Sequence, residues 1–481
     1  MERLKRFFLK NTSDKQTFIK NTVWLFIGEI IGRLLKLAIV IYATRKFGVD
    51  GWGLFSYGLA FVSFFYVLGD LGINIFITRE MSKDNKNKYT HVGTSFIIKM
   101  GLLFGLFIIS LIAGPYIGNI QLGLPFFTVL SVLYFSDCAR EFALSVVRAS
   151  GKMEQEAFSK IMMSAIITIL GIVLILKAAT PMSLAIAYMV GSVIATIFVM
   201  WSIRKEFRLM DWNLSKESVR IIYAFSWPIL IISLSSFVFN IDAIMLGQMR
   251  STIDVGLYAA AQRIVQFLAI MLGFIATSAF PLLSKHEGDD GKMTNIIERI
   301  MILVCAFGAP IAIGGLLLGT QLMTFMFGAD YATGGATFGI LMISLFAYFP
   351  NTILTTVIFS KNMQRRFMSA IAYGIATNIA LNFILIPPYG AVGAAWSVVV
   401  TQFVIMIINW KMLKKYVSFS VIPKTGKILI ACIAMALVIF IFNSIGAHLI
   451  VTIVVAAAAY AASLFLLKES SVGEILSLIK K

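Results

Sequence analysis

The sequence predicts an all-α membrane protein of about fourteen transmembrane helices: two parallel six-helix lobes followed by two C-terminal helices. Three observations predict it. Apolar content is far above that of a soluble domain, it is gathered into blocks of helix-spanning length, and basic residues collect in alternate loops. Of the 481 residues, 59% are hydrophobic and 13% charged, against roughly 45–50% apolar and about 25% charged in soluble domains. About twenty apolar residues in helical form cross ~30 Å of hydrocarbon. The blocks are continuous rather than alternating, which selects helices over a closed barrel.

In chain order the blocks run 20–43, 54–78, 93–113, 121–147, 157–177, 182–203, 220–247, 255–282, 296–319, 333–359, 368–387, 391–411, 426–444 and 448–468. The first segment carries Arg3, Lys5, Arg6, Lys10, Lys15 and Lys20, and every second loop after it is basic, down to Lys468, Lys480 and Lys481 in the tail. The opposite side shows only Arg45, Lys46, Lys177 and Arg250. By the positive-inside rule the chain is a multi-pass protein of the cell membrane with both termini cytoplasmic. One missed span would invert the charge pattern downstream, so the alternation supports an even count.

The net charge of +18 is accounted for by these topological clusters. No soluble basic domain is present, so nucleic acid is not an expected partner. Cys138, Cys305 and Cys432 all lie inside apolar blocks, which argues against a disulfide framework or a zinc cluster. His91, His286 and His448 show no metal spacing. No cleavable signal is expected, because the first apolar block is too long for one and no small-residue cleavage site follows. The outer loops are short, and no Gly-rich phosphate loop, nucleophile elbow or metal motif appears, so an enzyme is not expected.

The halves echo one another. Trp24 and Trp227 open spans one and seven, 203 residues apart (227 − 24), and Gly53-Leu54-Phe55 and Gly256-Leu257-Tyr258 open spans two and eight at the same offset (256 − 53). Gln155 and Phe158 before span five match Gln364 and Phe367 before span eleven, at an offset of 209 (364 − 155). The expected division is a cytoplasmic segment 1–19, an N-lobe 20–208, a C-lobe 209–416, and 417–481 holding the last two spans and a cytoplasmic tail. Six spans per half give the copies one orientation, and transporters built this way bind substrate between the halves.

Ionisable residues inside spans are costly and face a cavity or a partner. Span one carries Glu29, Arg33 and Lys36 on one helical face. Glu29 and Arg33 are spaced to pair, and Gly28 and Gly32 beside them permit close approach of another helix. Asp70 in span two and Asp137, Arg140 and Glu141 in span four add further charge, whereas Lys99 and Lys160, near span ends, are expected to snorkel. In the second half Arg263 lies deep in span eight. Asp242 in span seven either neutralises Arg263 or joins Asn378 and Asn382 of span eleven as ligands for a small cation. The alanine run 456–459 with Ala461 and Ala462 in span fourteen reads either as close packing or as a groove for an acyl or prenyl chain. A cationic centre with an apolar flank suits an amphiphile with a phosphate head, since Arg presents a fork matched to phosphate oxygens. Arg33, Lys36, Arg263 and Arg140 are the candidate headgroup contacts, and Glu29, Asp70, Asp137, Glu141 and Asp242 the candidate cavity or coupling carboxylates.

Asn21-Thr22-Val23-Trp24 with Gly28-Glu29-Ile30-Ile31-Gly32-Arg33, then Gly53-Leu54-Phe55-Ser56-Tyr57, Asp70-Leu71-Gly72 and Arg148-Ala149-Ser150-Gly151-Lys152, resemble the polysaccharide-biosynthesis membrane proteins. These are the lipid-linked oligosaccharide flippases of the multidrug/oligosaccharidyl-lipid/polysaccharide exporter superfamily. The resemblance implies two six-helix lobes around a cavity that opens alternately to either side. It implies a polyprenyl-(pyro)phosphate-linked glycan as cargo, spans thirteen and fourteen near the lipid tail, and arginines in spans one and eight, where Arg33 and Arg263 stand. It implies no cofactor, Na+ or H+ coupling with Asp242, Asn378 and Asn382 as part of a cation site, and a glycan polymerase or transferase as partner. The alternative is a multidrug or organic-cation exporter of the same fold, against which the in-span Arg and Lys residues argue.

Overall fold

The computed structural model of the chain describes residues 14–83, 87–113, 123–286, 289–361 and 363–467. Their architecture is helical, with no strand among them. The apolar blocks fall on helices, and eight helical stretches among the described residues are long and apolar enough to cross a bilayer. The chain divides into two compact units, Met1–Thr252 and Ile253–Lys481.

The first unit contains α1 (Asp14–Asp70), α2 (Ile73–Met81), α3 (Lys88–Ala113), α4 (Leu124–Ala149), α5 (Met153–Lys177), α6 (Pro181–Ser202), α7 (Arg204–Leu209) and α8 (Lys216–Met249). Two apolar blocks share α1 because the helix bends at Gly48, whose φ of 68° and ψ of −175° separate its limbs. A Cβ there would meet nothing within 4 Å, so the backbone conformation alone favours glycine. A second interruption follows Asp70. Leu71 (φ 45°) and Gly72 (φ 76°) both take left-handed conformations before α2 begins. A branched residue such as leucine rarely adopts that region, which marks a constrained spot beside a charged side chain.

The first limb of α1 lies along α5. Going up both helices, Lys20 meets Glu154, Gly28 meets Ala157, Gly32 meets Lys160 and Ser164, Leu35 meets Thr168, and Ile39 meets Gly171. The register rises together, so the helices run parallel, as two odd-numbered crossings must. Glycine makes this approach feasible: a Cβ on Gly28 would sit 2.7 Å from Ala157 Cα. At one end of the unit, Phe76, Val92, Phe142, Val146, Val199 and Ile222 form an apolar core joining α2, α3, α4, α6 and α8.

The sequence places α8 in the C-lobe; the compact division falls after it, and polar contacts tie α8 and the residues that follow it to the first unit. His91 Nδ1 and Ser218 Oγ are 2.8 Å apart, Gln248 Nε2 donates to Tyr57 Oη at 3.0 Å, and Thr252 donates to Asp50.

The second unit contains α9 (Thr252–Lys285), α10 (Asp290–Leu317), α11 (Gly319–Phe327), a 3-10 turn (Ala329–Gly334), α12 (Gly335–Ser360), α13 (Gln364–Leu413), a second 3-10 turn (Ile422–Thr425), α14 (Gly426–Ser444) and α15 (Leu449–Leu466). The bend of α13 falls at Gly390 (φ 54°) after Pro387 and Pro388. Asp254 Oδ1 accepts from Ala391 N at 3.2 Å and so caps the second limb. Helix α12 packs on α10 and α13, and α14 packs on α10 and α15.

The internal repeat has a structural counterpart. Helices α4 and α12 are both 26 residues long and begin 211 residues apart (335 − 124). Helices α5 and α13 begin at the same offset (364 − 153).

Candidate functional site

In the first unit eight charged side chains of α1, α4 and α5 form one chain of alternating sign. Arg33 donates to Glu29 Oε1, one turn away on α1. The other carboxylate oxygen, Glu29 Oε2, accepts from Lys160 Nζ of α5 at 3.2 Å. Lys160 Nζ also pairs with Glu156 Oε1 at 3.0 Å. Glu156 receives a two-pronged contact from Arg148 of α4, Nε to Oε2 at 2.8 Å and Nη2 to Oε1 at 2.9 Å. Arg148 Nη2 reaches Glu141 Oε2 at 3.0 Å, and Glu141 Oε1 lies 3.7 Å from Arg140. Arg140 Nη2 then donates to Asp137 Oδ1 at 3.2 Å, which also accepts from Ser192 Oγ of α6 at 2.6 Å.

Four cations face four carboxylates along this chain, so it is neutral overall. That matters because an unpaired charge in a low-dielectric interior is far costlier than a paired one. Exposure varies along the network: the side chain of Glu156 is 3% exposed and that of Arg33 is 40%. Lys36 follows within a turn, half-buried.

A second pair sits at the break between α1 and α2. Lys99 Nζ of α3 donates to Asp70 Oδ1 at 3.1 Å and to Asn74 Oδ1 at 2.7 Å, and Lys99 is fully buried. The expectation that Lys99 snorkels therefore does not hold, because it finds its oxygens on neighbouring helices inside the protein. Lys160, 27% exposed, is held by Glu29 and Glu156.

Of the remaining predicted residues, Asp242 is fully buried in the first unit. Asn378 and Asn382 are fully buried in the second, where Asn382 Nδ2 donates to Asn378 Oδ1 at 3.3 Å. Thr401, beside Gly374 one turn from Asn378, is buried too. Among the described residues, Asn378 Nδ2 and Thr401 Oγ1 have no hydrogen-bond partner. Arg263 is exposed on α9, and its neighbour Gln262 donates to Tyr258 Oη at 3.3 Å. Among the described residues no group of three His, Cys, Asp or Glu side chains is placed to hold a metal.

The second unit contributes an apolar groove of about 660 Å³, within the roughly 300–1,000 Å³ of small-molecule sites. Ala456, Ala457 and Ala461 of α15 and Gly314 and Gly315 of α10 are among the residues that line it. Tyr460 fixes one wall. Pro310 has no N–H to give to the carbonyl of Ala306, four residues earlier, and Tyr460 Oη donates to that carbonyl at 2.6 Å.

A family model described as polysaccharide biosynthesis protein matches residues 18–287. The chain belongs to this family. A Haloferax volcanii protein named as a probable flippase, AglR, is 22% identical over 481 residues, covering 94% of each chain. The capsular polysaccharide biosynthesis protein CapF of Staphylococcus aureus is 21% identical over 412 residues, covering 82% of this chain and 99% of its own. Among solved structures, the lipid II flippase MurJ in an inward closed conformation superposes with a TM-score of 0.79 at 16% identity, over 94% of this chain and 100% of its own. An inward-facing multidrug resistance transporter of the MATE family gives 0.68 at 16% identity, over 83% of this chain and 100% of its own. These two likenesses show that the chain shares the all-helical fold of those structures.

Sequence reading brought Glu29, Arg33, Asp137, Arg140 and Glu141 to notice but not Lys160 and Glu156 as members of the same chain. The available signal was their i, i+4 spacing at the start of α5, directly after the turn that carries Arg148.

Proposed function

We propose that this protein is a flippase that carries a polyprenyl-(pyro)phosphate-linked oligosaccharide from the cytoplasmic to the outer leaflet by alternating access, for cell-surface glycan assembly. The observation that carries the reading is the pairing, in a chain of the polysaccharide biosynthesis family, of an in-span ionic network ending at half-exposed Arg33 with an apolar groove of about 660 Å³. Arg33, with Lys36 and Arg140, receives the anionic head in the first unit, and Arg263 is the candidate headgroup contact of the second. The groove along α15 receives part of the prenyl tail. Both termini are cytoplasmic, as the basic loops require, and a glycan polymerase or transferase takes up the product.

Turnover is driven by Na+ or H+. Asn378 and Asn382 of the second unit are candidate residues for a cation, and Asp242 is the candidate of the first. Glu29, Asp70, Asp137 and Glu141 are the carboxylates for a proton. One charge moved across the membrane is worth about 2.3 kcal/mol per 100 mV, enough to bias a cycle of this kind.

The test is a lipid extract from cells lacking the gene, analysed by mass spectrometry. One polyprenyl-linked glycan accumulates and the matching surface glycan is lost. Reintroducing the gene reverses both, and reintroducing Arg33→Ala at normal expression does not. An unchanged lipid pool with new sensitivity to cationic dyes would instead establish export of organic cations.

A further inference from the structure

We propose that Lys160 is a positioning residue that sets the anion affinity of Arg33 by sharing the carboxylate of Glu29 with it. This rests on the reading of Arg33 as a headgroup contact and adds the device that lets Arg33 let go of its own partner.

Glu29 is held from two sides, by Arg33 on Oε1 and by Lys160 on Oε2 at 3.2 Å. The two cations are not equivalent. Lys160 has a second carboxylate, Glu156 at 3.0 Å, and Glu156 is itself clamped by Arg148 at 2.8 and 2.9 Å. Arg33 is the more exposed of the pair, 40% against 27%. When a phosphate group draws Arg33 away, Glu29 keeps Lys160 as its counter-charge. No carboxylate is then stranded in the low-dielectric interior, where losing a partner is the expensive event. When the phosphate leaves, Glu29 takes Arg33 back. The exchange swaps one charge-assisted contact for another, so binding and release both proceed without an unpaired intermediate.

The backbone places the amine where this works. Gly28 and Gly32 bring α1 against Ala157, Lys160 and Ser164, and Lys160 O would lie 3.6 Å from a Cβ on Gly32. Arg148 and Glu156 are the fixed end of the device, and Glu29 is its shared element. The ligand class is the phosphate or pyrophosphate head of a lipid.

The experiment measures binding of farnesyl pyrophosphate, with farnesol as the uncharged comparison, to the purified full chain in detergent. Lys160→Met weakens pyrophosphate binding about tenfold and leaves farnesol binding alone, which a folding defect would not do. Lys160→Arg restores the parental affinity. Glu29→Gln tightens pyrophosphate binding, and Lys160→Met combined with Glu29→Gln regains at least the parental value. Glu29→Asp keeps the charge but withdraws the carboxylate by one methylene, so it too tightens binding if held geometry rather than bulk field matters. Arg33-dependent binding that ignores Lys160, or is unchanged in Glu29→Asp, overturns the proposal alone. Equal binding by the parent and Arg33→Gln overturns the headgroup role of Arg33 and the proposal with it.

Discussion

Gly28 governs how near α1 comes to α5, and with it whether Glu29 can reach Lys160. A methyl group there would stand 2.7 Å from Ala157 Cα and 2.8 Å from its Cβ. Backbone cannot step aside as a flexible side chain does, so the two helices must separate. Two effects oppose each other in Gly28→Ala. Helix propensity favours alanine by about 0.8–1.0 kcal/mol, while overpacking a tight contact costs about 1–3 kcal/mol. Overpacking wins, because the clash is with main chain, and the ionic contact beyond it lengthens as well. Gly28→Ala is expected to lower the thermal midpoint in detergent. Gly105→Ala on α3 is the comparison: nothing lies within 4 Å of its added Cβ, so only the propensity term acts and the midpoint holds or rises. Equal behaviour of the two variants would mean that the α1–α5 contact yields freely.

At the scale of elements, α15 is tied to α10 by one hydroxyl. Pro310 leaves the Ala306 carbonyl without its helical partner, and Tyr460 supplies the missing donor at 2.6 Å. Tyr460→Phe leaves a buried acceptor unmet, at a cost of about 1 kcal/mol, between the small average for membrane interiors and the larger value for soluble cores. Hydrogen exchange in α15 is expected to quicken. Pro310→Ala restores an N–H for Ala306, so in that background Tyr460→Phe loses most of its effect; additive losses would show that the two groups do not share the carbonyl. This tie illustrates what sequence could and could not reveal. The apolar blocks, the half-to-half echoes, the Glu29–Arg33 pair and the glycines beside it were all legible, because each is a local pattern of spacing or composition. Lys99, Lys160 and Tyr460 were not. Their partners are Asp70, Glu29 and the Ala306 carbonyl, 29, 131 and 154 residues away, and no local period encodes which helices meet.

At the scale of the molecule, the ionic network belongs to the first unit and the groove to the second. An amphiphilic cargo needs both, so damage to each should show a different dependence on the cargo. Ala457 lines the groove and is exposed, which makes Ala457→Trp a plug that adds apolar bulk without touching a charge. In vesicles holding the full chain, this variant is expected to slow movement of long-prenyl pyrophosphate-linked sugar about tenfold. A carrier with a chain of two isoprene units offers the groove far less apolar surface and should be slowed less. Arg33→Ala, by contrast, should slow both carriers alike, because both present the same head. The chain-length dependence separates the explanations: a variant that merely misfolds loses both carriers and its thermal midpoint together. Equal slowing of long and short carriers with an unchanged midpoint would make the groove a packing defect between α10 and α15 rather than a seat for the tail.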